Sequence, residues 1–285
     1  MAGISLSGLF VRFKWRISAT FLLVVLESAL GVLYPLLIGL AIDDLLADSL
    51  EGLLHLGLLG IASVLVGSAR RLYDTRIYAG IYERVAVELV EREAQAGASV
   101  SRTTARADLL TEFVDFFEDS MPELLGALIS LFGILIIVAG LSWPVFIGCL
   151  CLVVLLTLIY AVTARRNYRL NAGYNDQYEE TVDVITSADR SRQANHFKRL
   201  MQWNIRLSDL ETFNYAIFWI GAVGLFLFAP YSAVTGGALE AGLILSLLLY
   251  VFEFIDWLSM LPLHIQQVIR LREIARRLAS DRPAG

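Results

Sequence analysis

Charge is what this 285-residue sequence has least of. Only 18% of its residues are Asp, Glu, Lys or Arg, 57% are hydrophobic, and the mean hydropathy is +0.64. Those values exclude a water-soluble globular protein and imply an integral membrane protein. Lysine is almost absent, with only Lys14 in Phe-Lys-Trp and Lys198 in Phe-Lys-Arg. Neither follows a glycine loop of the kind that cradles nucleotide phosphates. Cysteine is limited to Cys149 and Cys151, whose i, i+2 spacing points them to different sides of a helix. They read as small apolar fillers rather than a disulfide or metal pair. His196 and His264 are isolated and no metal-ligand spacing occurs, so no metal or cofactor is expected. Low-complexity segments, flexible linkers and soluble domains are also missing. The net charge of -5 says little about partners because the charges are segregated along the chain, and no nucleic-acid partner is expected.

What the chain does have is long apolar runs. Six spans can be drawn, at 17–46, 53–69, 121–141, 145–163, 213–231 and 242–261, each near the ~20 residues that cross a ~30 Å hydrocarbon core. Ahead of them, residues 1–16 set Phe10, Phe13 and Trp15 among Arg12, Lys14 and Arg16, which suits a helix lying on the membrane face. The first run is too long for a signal-peptide core and lacks a cleavage site. Gly31 and Pro35 within it permit a bend. Every Lys and Arg lies before the first span, between the second and third, between the fourth and fifth, or after the sixth. Basic residues are retained on the cytoplasmic side, so the expected topology is multi-pass with both termini cytoplasmic, in a bacterial inner membrane.

The connections on the basic side, 70–120 and 165–212, are too long for structureless loops. Tyr78, Ile81, Tyr82, Val85 and Leu89 recur at helical spacing, as do Leu110, Phe113, Val114 and Phe117. So do Leu170, Tyr174, Tyr178, Val182 and Ile185, and then Leu200, Trp203, Leu207 and Leu210. Each connection is therefore expected to be a helical hairpin projecting roughly 25–35 Å, turning near 97–104 in one case and 188–195 in the other. A tail, 262–285, follows the last span.

Several stretches carry a family resemblance. YPLLIGLAIDDLL at 34–46 resembles the end of the first helix in the transmembrane domain of ATP-binding-cassette exporters. LLTEFVDFFEDSMPELLGAL at 109–128 is similar to the approach to the third helix in that family, and LPLHIQQVIRLREIARRL is similar to the departure from its sixth. The resemblance covers about 17–278. It implies an all-α fold of six transmembrane helices with two long cytoplasmic hairpins, assembled as a domain-swapped homodimer. No phosphate loop is present and the residues after Leu278 leave no room for one, so the chain itself is not expected to be an ATPase or any other enzyme. The implied function is transport of a cationic or amphiphilic small molecule or peptide, coupled to an ion gradient, with protons as the ion. Two alternatives stand beside it: a permease subunit served by a separate ATPase polypeptide, and a non-transporting membrane adaptor or sensor.

Candidate site residues follow from charge at depth. Glu27 sits about ten residues into the first span, Glu253 about eleven into the sixth, and Asp256 a turn further on, with Tyr34, Trp219 and Trp257 at similar depth. Ionisable groups so placed are expensive and mark ion, proton or substrate paths. The competing reading is structural, with Asp256 paired to Arg70 or Arg71. Arg70, Arg71 and Asp74 read as an ion pair at the inner interface. Asp43 and Asp44 read as solvated charges ending a helix. Glu112, Asp115, Glu118, Asp119 and Glu123 read as a solvated face or as partners of arginines opposite.

Overall fold

The computed structural model describes residues 6–237 and 240–279, with side chains described at 12–112, 114–237 and 240–271. Among the described residues every regular element is helical. In order they are α1 (Leu6–Val32), α2 (Tyr34–Leu46), α3 (Glu51–Gln95), α4 (Val100–Asp115), a π-helical turn (Phe116–Ser120), α5 (Met121–Leu141), α6 (Trp143–Glu179), α7 (Thr181–Thr186), α8 (Arg190–Thr235) and α9 (Ala241–Ala279). Six helical stretches are long and apolar enough to cross a membrane, with the apolar part of α1 and α2 counting as one. α3, α6, α8 and α9 run to 45, 37, 46 and 39 residues. A crossing takes ~20, so each continues well past its apolar part, by roughly 35 Å in α3 and α8. The chain forms two compact units, α1–α5 with α9, and α6–α8.

In the first unit the break between α1 and α2 falls at Leu33, because Pro35 in the first turn of α2 has no N–H to give to the turn before it. Two hydroxyls of α9 serve the carbonyls there. Tyr250 donates to the Val32 carbonyl and Ser246 to the Pro35 carbonyl, each at 2.8 Å and each buried. In hydrocarbon an unserved carbonyl would cost several kcal/mol. Pro35, Gly39 and Asp43 on α2 recur every four residues, as do Gly242, Ser246 and Tyr250 on α9, so each set lines one helix face. These faces meet at their glycines: a Cβ on Gly242 would stand 2.0 Å from the Gly39 carbonyl oxygen. Small residues allow such backbone approach between helices in membranes. One helical turn beyond, Asp43 Oδ1 accepts a hydrogen bond from the Gly242 N–H at 2.7 Å and caps α9. That corrects the reading of Asp43 as a solvated charge. Its partner is 199 residues away in sequence, so no local pattern announces it.

Beyond the apolar part of α3, Tyr78, Ile81, Val85 and Leu89 bury with Leu110 and Val114 of α4 and with Phe13 and Ile17 of α1. The spacing expected of α3 is therefore the buried face. The Phe113 side chain lies outside the described residues, as do residues 1–5 of the expected interfacial helix. α1 departs from helical geometry at Phe13 (φ −111°, ψ 16°), and just before it the Arg12 guanidinium grips Glu88 of α3 at 2.7 and 2.8 Å. α3 turns into α4 at Gly97, whose φ of 68° suits glycine. Nearby, buried Glu93 pairs with Arg106 and, at 3.6 Å, with Arg102.

In the second unit α6 packs along α8, burying Val145, Cys149 and Leu152 on one helix and Phe218, Ala222 and Leu225 on the other. One expectation fails in this unit. Tyr178, Val182 and Ile185, expected on a buried stripe with Leu170, are 59%, 71% and 57% exposed, and Val184 is buried in their place. For Val182 and Ile185 the reason is a change of phase, since α6 ends at Glu179 and α7 restarts at Thr181; Tyr178, still within α6, stacks on Tyr174 at a ring-centroid distance of 6.2 Å. The turn that follows carries Ala188 at φ 53° and Asp189. Asp189 Oδ1 accepts from the N–H groups of Ser191 and Arg192 and caps α8.

Candidate functional site

α1 and α3 meet through charge as well as packing. Arg70 of α3 bonds Glu27 of α1 through Nε, and its Nη1 reaches Asp74 one turn on at 3.1 Å. The other Asp74 oxygen accepts from the Thr20 hydroxyl of α1 at 2.7 Å. Thr20 and Asp74 are 0% and 3% exposed, and a buried carboxylate persists only when paired and hydrogen-bonded. Gly67, one turn before Arg70, leaves room for Glu27: a Cβ there would stand 3.0 Å from Glu27 Oε1. Both oxygens of Asp74 are therefore engaged, whereas Glu27 Oε1 accepts no hydrogen bond among the described residues.

Glu27 and Arg70 open onto a cavity of about 360 Å³. Its walls are Ser28 and Gly31 of α1, Glu118 and Asp119 of the π turn, Glu123, Gly126 and Ser130 of α5, and Trp257 of α9. Glu27, Glu118, Asp119 and Glu123 outnumber the single guanidinium, so the cavity is a negative one. Burial pushes the carboxyl of Glu118, which lies ahead of the apolar part of α5, above the ordinary carboxylate range. The Thr75 hydroxyl opposes the shift, and Asp119, Asp115 and Asp74 add to it. Ser130 is 7% exposed, borders the cavity, and its hydroxyl has no hydrogen-bond partner among the described residues. The π turn that carries Glu118 and Asp119 forgoes regular α-helical hydrogen bonding, a departure frequent at functional sites. A second cavity of about 300 Å³ shares Asp119 and is bordered by Glu112, Asp115, Gln267 and Arg270. There Arg270 pairs with Glu112 at 3.1 Å.

The structure sorts the residues singled out from the sequence. Glu27, Arg70 and Trp257 line the acidic cavity. Glu253 is half-buried on α9 and Asp256 is exposed; neither lines that cavity, and neither side chain has a hydrogen-bond or ion-pair partner among the described residues. Arg70 is engaged by Glu27 and Asp74 rather than Asp256, and Arg71 is exposed with no ion pair among the described residues. Tyr34 stands at the start of α2, away from the cavity wall. Trp219 belongs to the second unit, is 37% exposed, and sits against Tyr215 and Phe218 at ring-centroid distances of 5.7 and 6.0 Å. Sequence reasoning left out Ser28 and Ser130 and read Glu112, Asp115, Glu118, Asp119 and Glu123 as a solvated face or as partners of arginines opposite; Glu112 does pair with Arg270, whereas Glu118, Asp119 and Glu123 border the cavity. The available signal was the crowding of three acids within six residues at the start of an apolar run.

The second unit also has a polar cavity, but its charges balance, with Glu180, Asp189, Arg192 and Arg199 all bordering it. Its polar cavity of about 440 Å³ contains His196, 4% exposed, with both ring nitrogens engaged by neutral partners, Gln177 at 3.0 Å and Thr181 at 3.1 Å. The same unit has an apolar groove among Gly148, Gly221, Gly224 and Phe228. Among the described residues no group of three or more His, Cys, Asp or Glu is placed to hold a metal.

Six apolar helical crossings and a charged cavity cut into the helices that make them are the form of a transporter's membrane domain. The chain belongs to the ABC transporter transmembrane region family, which it matches over residues 6–237. The resemblance drawn from 34–46 and 109–128 is thereby upheld. No curated protein matches the chain.

Proposed function

We propose that this chain is the membrane domain of a homodimeric transporter for organic cations, energised by a proton gradient. The observation that carries the cation reading is the cavity in which Glu27, Glu118, Asp119 and Glu123 face one arginine, with an unengaged buried hydroxyl and an indole alongside. A cation there gains charge pairing from the carboxylates and a cation–π contact from Trp257. Glu253 is the candidate for proton coupling, because it lies half-buried in the apolar part of α9 without a partner among the described residues. The homodimer part of the reading is supported by exposed Asp256 and half-buried Glu253, which would otherwise face lipid at a cost. The distribution of Lys and Arg supports a topology with both termini on the cytoplasmic side.

Proteoliposomes test this. A pH gradient imposed across the membrane is expected to drive uptake of a labelled organic cation. Glu27→Gln lowers that uptake about tenfold or more, and Glu253→Gln uncouples it from the gradient. Absence of uptake for every small cation and cationic peptide tried, with Glu253→Gln indistinguishable from wild type, sinks the proposal. Family membership favours one further reading, a permease served by a separate ATPase. Co-purification of an ATPase together with ATP-dependent uptake would select it.

A further inference from the structure

Arg70 occupies the place a substrate cation would take. It lines the acidic cavity while its guanidinium bridges Glu27 and Asp74. The two carboxylates are not equivalent. Asp74 is almost fully enclosed and its second oxygen is held by the buried Thr20 hydroxyl, so losing Arg70 would strand a buried charge. The Glu27 side chain is 31% exposed, faces the cavity, and keeps Oε1 unengaged. Of the two bonds Arg70 makes, the one to Asp74 is enclosed and the one to Glu27 is accessible from the cavity. With five N–H donors, a guanidinium released from Glu27 still has ample groups for a fork on Asp74.

Resting on the cation reading above, we propose that Glu27 is the recognition carboxylate for a small guanidinium- or amine-bearing dication, and that Arg70 is its built-in competitor. As the ligand's cationic head arrives on Glu27, Arg70 withdraws onto Asp74. The ligand's second charge is met by Glu118, Asp119 and Glu123, and Ser130 supplies a neutral hydrogen bond. The ligand class follows from two observations. A site that holds the guanidinium of Arg70 has the donor-accepting geometry for a free one. At about 360 Å³ the cavity lies near the lower end of the range for ligand pockets, which suits a small dication rather than a peptide. No covalent step is involved. The exchange trades one charge-assisted hydrogen bond for another, so it sets affinity and selectivity without adding an unpaired charge.

The test is binding of agmatine, an alkylguanidinium with a terminal amine, to the full chain in lipid nanodiscs, followed by titration calorimetry. Arg70→Gln alone strands Asp74, so the informative variant is R70Q with D74N, which leaves Thr20 a partner. Removing the competitor is expected to tighten agmatine binding roughly 5- to 10-fold, the scale of a partly exposed ion pair. Glu27→Gln weakens binding about tenfold or more, and adding it to the double variant erases the gain. If the double variant binds no better than wild type while Glu27→Gln and Glu118→Gln still weaken binding, the exchange is overturned and the cation cavity stands. If neither wild type nor the double variant binds agmatine, both are overturned. Should the double variant not yield folded protein, Arg70→Lys carries the test. It keeps a charge on Asp74 but lacks the second set of donors for Glu27, so roughly threefold tighter binding is expected, and no change overturns the exchange.

Discussion

The two units of this chain are built from similar materials, long apolar helices that meet at glycines, yet they treat polar groups in opposite ways. The unit of α1–α5 and α9 buries charge: Glu27, Arg70 and Asp74 form one network, and four carboxylates border one cavity. The unit of α6–α8 buries neutral groups whose hydrogen bonds are local to it, with His196 held by Gln177 and Thr181, and Asn214 donating to Thr163 at 3.2 Å. Neutral buried groups close a fold; unevenly paired charges leave a site poised for something else. Their glycines differ in the same sense. In the first unit Gly39 and Gly242 admit another backbone, while in the second Gly221 admits the ends of the Leu155 and Leu152 side chains.

That contrast in glycines predicts the largest effect. Gly242→Ala places a methyl 2.0 Å from a backbone oxygen that has nowhere to go. It is expected to cost more than about 3 kcal/mol, or to abolish monodisperse protein in detergent. Gly221→Ala meets Leu155 Cδ2 at 2.6 Å, and a flexible side chain can move aside, so less than about 1 kcal/mol is expected. Equal loss from both in thermal unfolding would erase the distinction between the units.

A smaller difference is expected at the helix caps. Asp43 caps α9 from a different helix, partly buried, whereas exposed Asp189 caps α8 from the adjoining turn. Asp43→Ala is expected to cost about 1–2 kcal/mol, and Asp189→Ala about half as much because water replaces the lost acceptor. Differential scanning fluorimetry of the pair reads this directly; an Asp189 effect as large as that of Asp43 would count against the tertiary cap.

The smallest effect sharpens the electrostatic side. Burial raises Glu118 in the folded protein above its ordinary value of 4.5, so the folded state holds that proton more tightly than the unfolded one. Stability is then lost as pH climbs from the unfolded value through the raised folded value, and the penalty is absent below both. Glu118→Gln removes the penalty. Its melting temperature is expected to exceed wild type at pH 8 and to match it near pH 4. A difference that grows on acidification would have the wrong sign and refute the assignment.

Particular residues show how much could be read along the chain. Tyr78, Ile81, Val85 and Leu89 recur at three and four within one unbroken helix, and they are the buried face of α3. The same reasoning failed at Val182 and Ile185, since a restart of the helix at Thr181 shifts the phase of every later side chain. Glu27 was legible because a carboxylate ten residues into an apolar run has few tolerable places. Glu118, Asp119 and Glu123 were not, because on paper an acidic stretch beside a membrane segment resembles any solvated helix. Asp43 lay beyond reach for another reason, its partner being a backbone N–H brought up from the other end of the chain.

Apolar run length, charge segregation and helical spacing are local quantities, and each is judged against a constant, bilayer thickness or helix pitch. They were enough for a six-span helical membrane protein, its extended helices and its family. Pairing is not local. Whether Arg70 satisfies Glu27 or Asp256, whether Asp43 faces water or caps α9, and which acids share a cavity all depend on which helices meet and at what rotation. Those choices were made by close backbone contact at Gly39 and Gly242 and by the cost of leaving Asp74 unpaired, energies that exist only once the helices are packed.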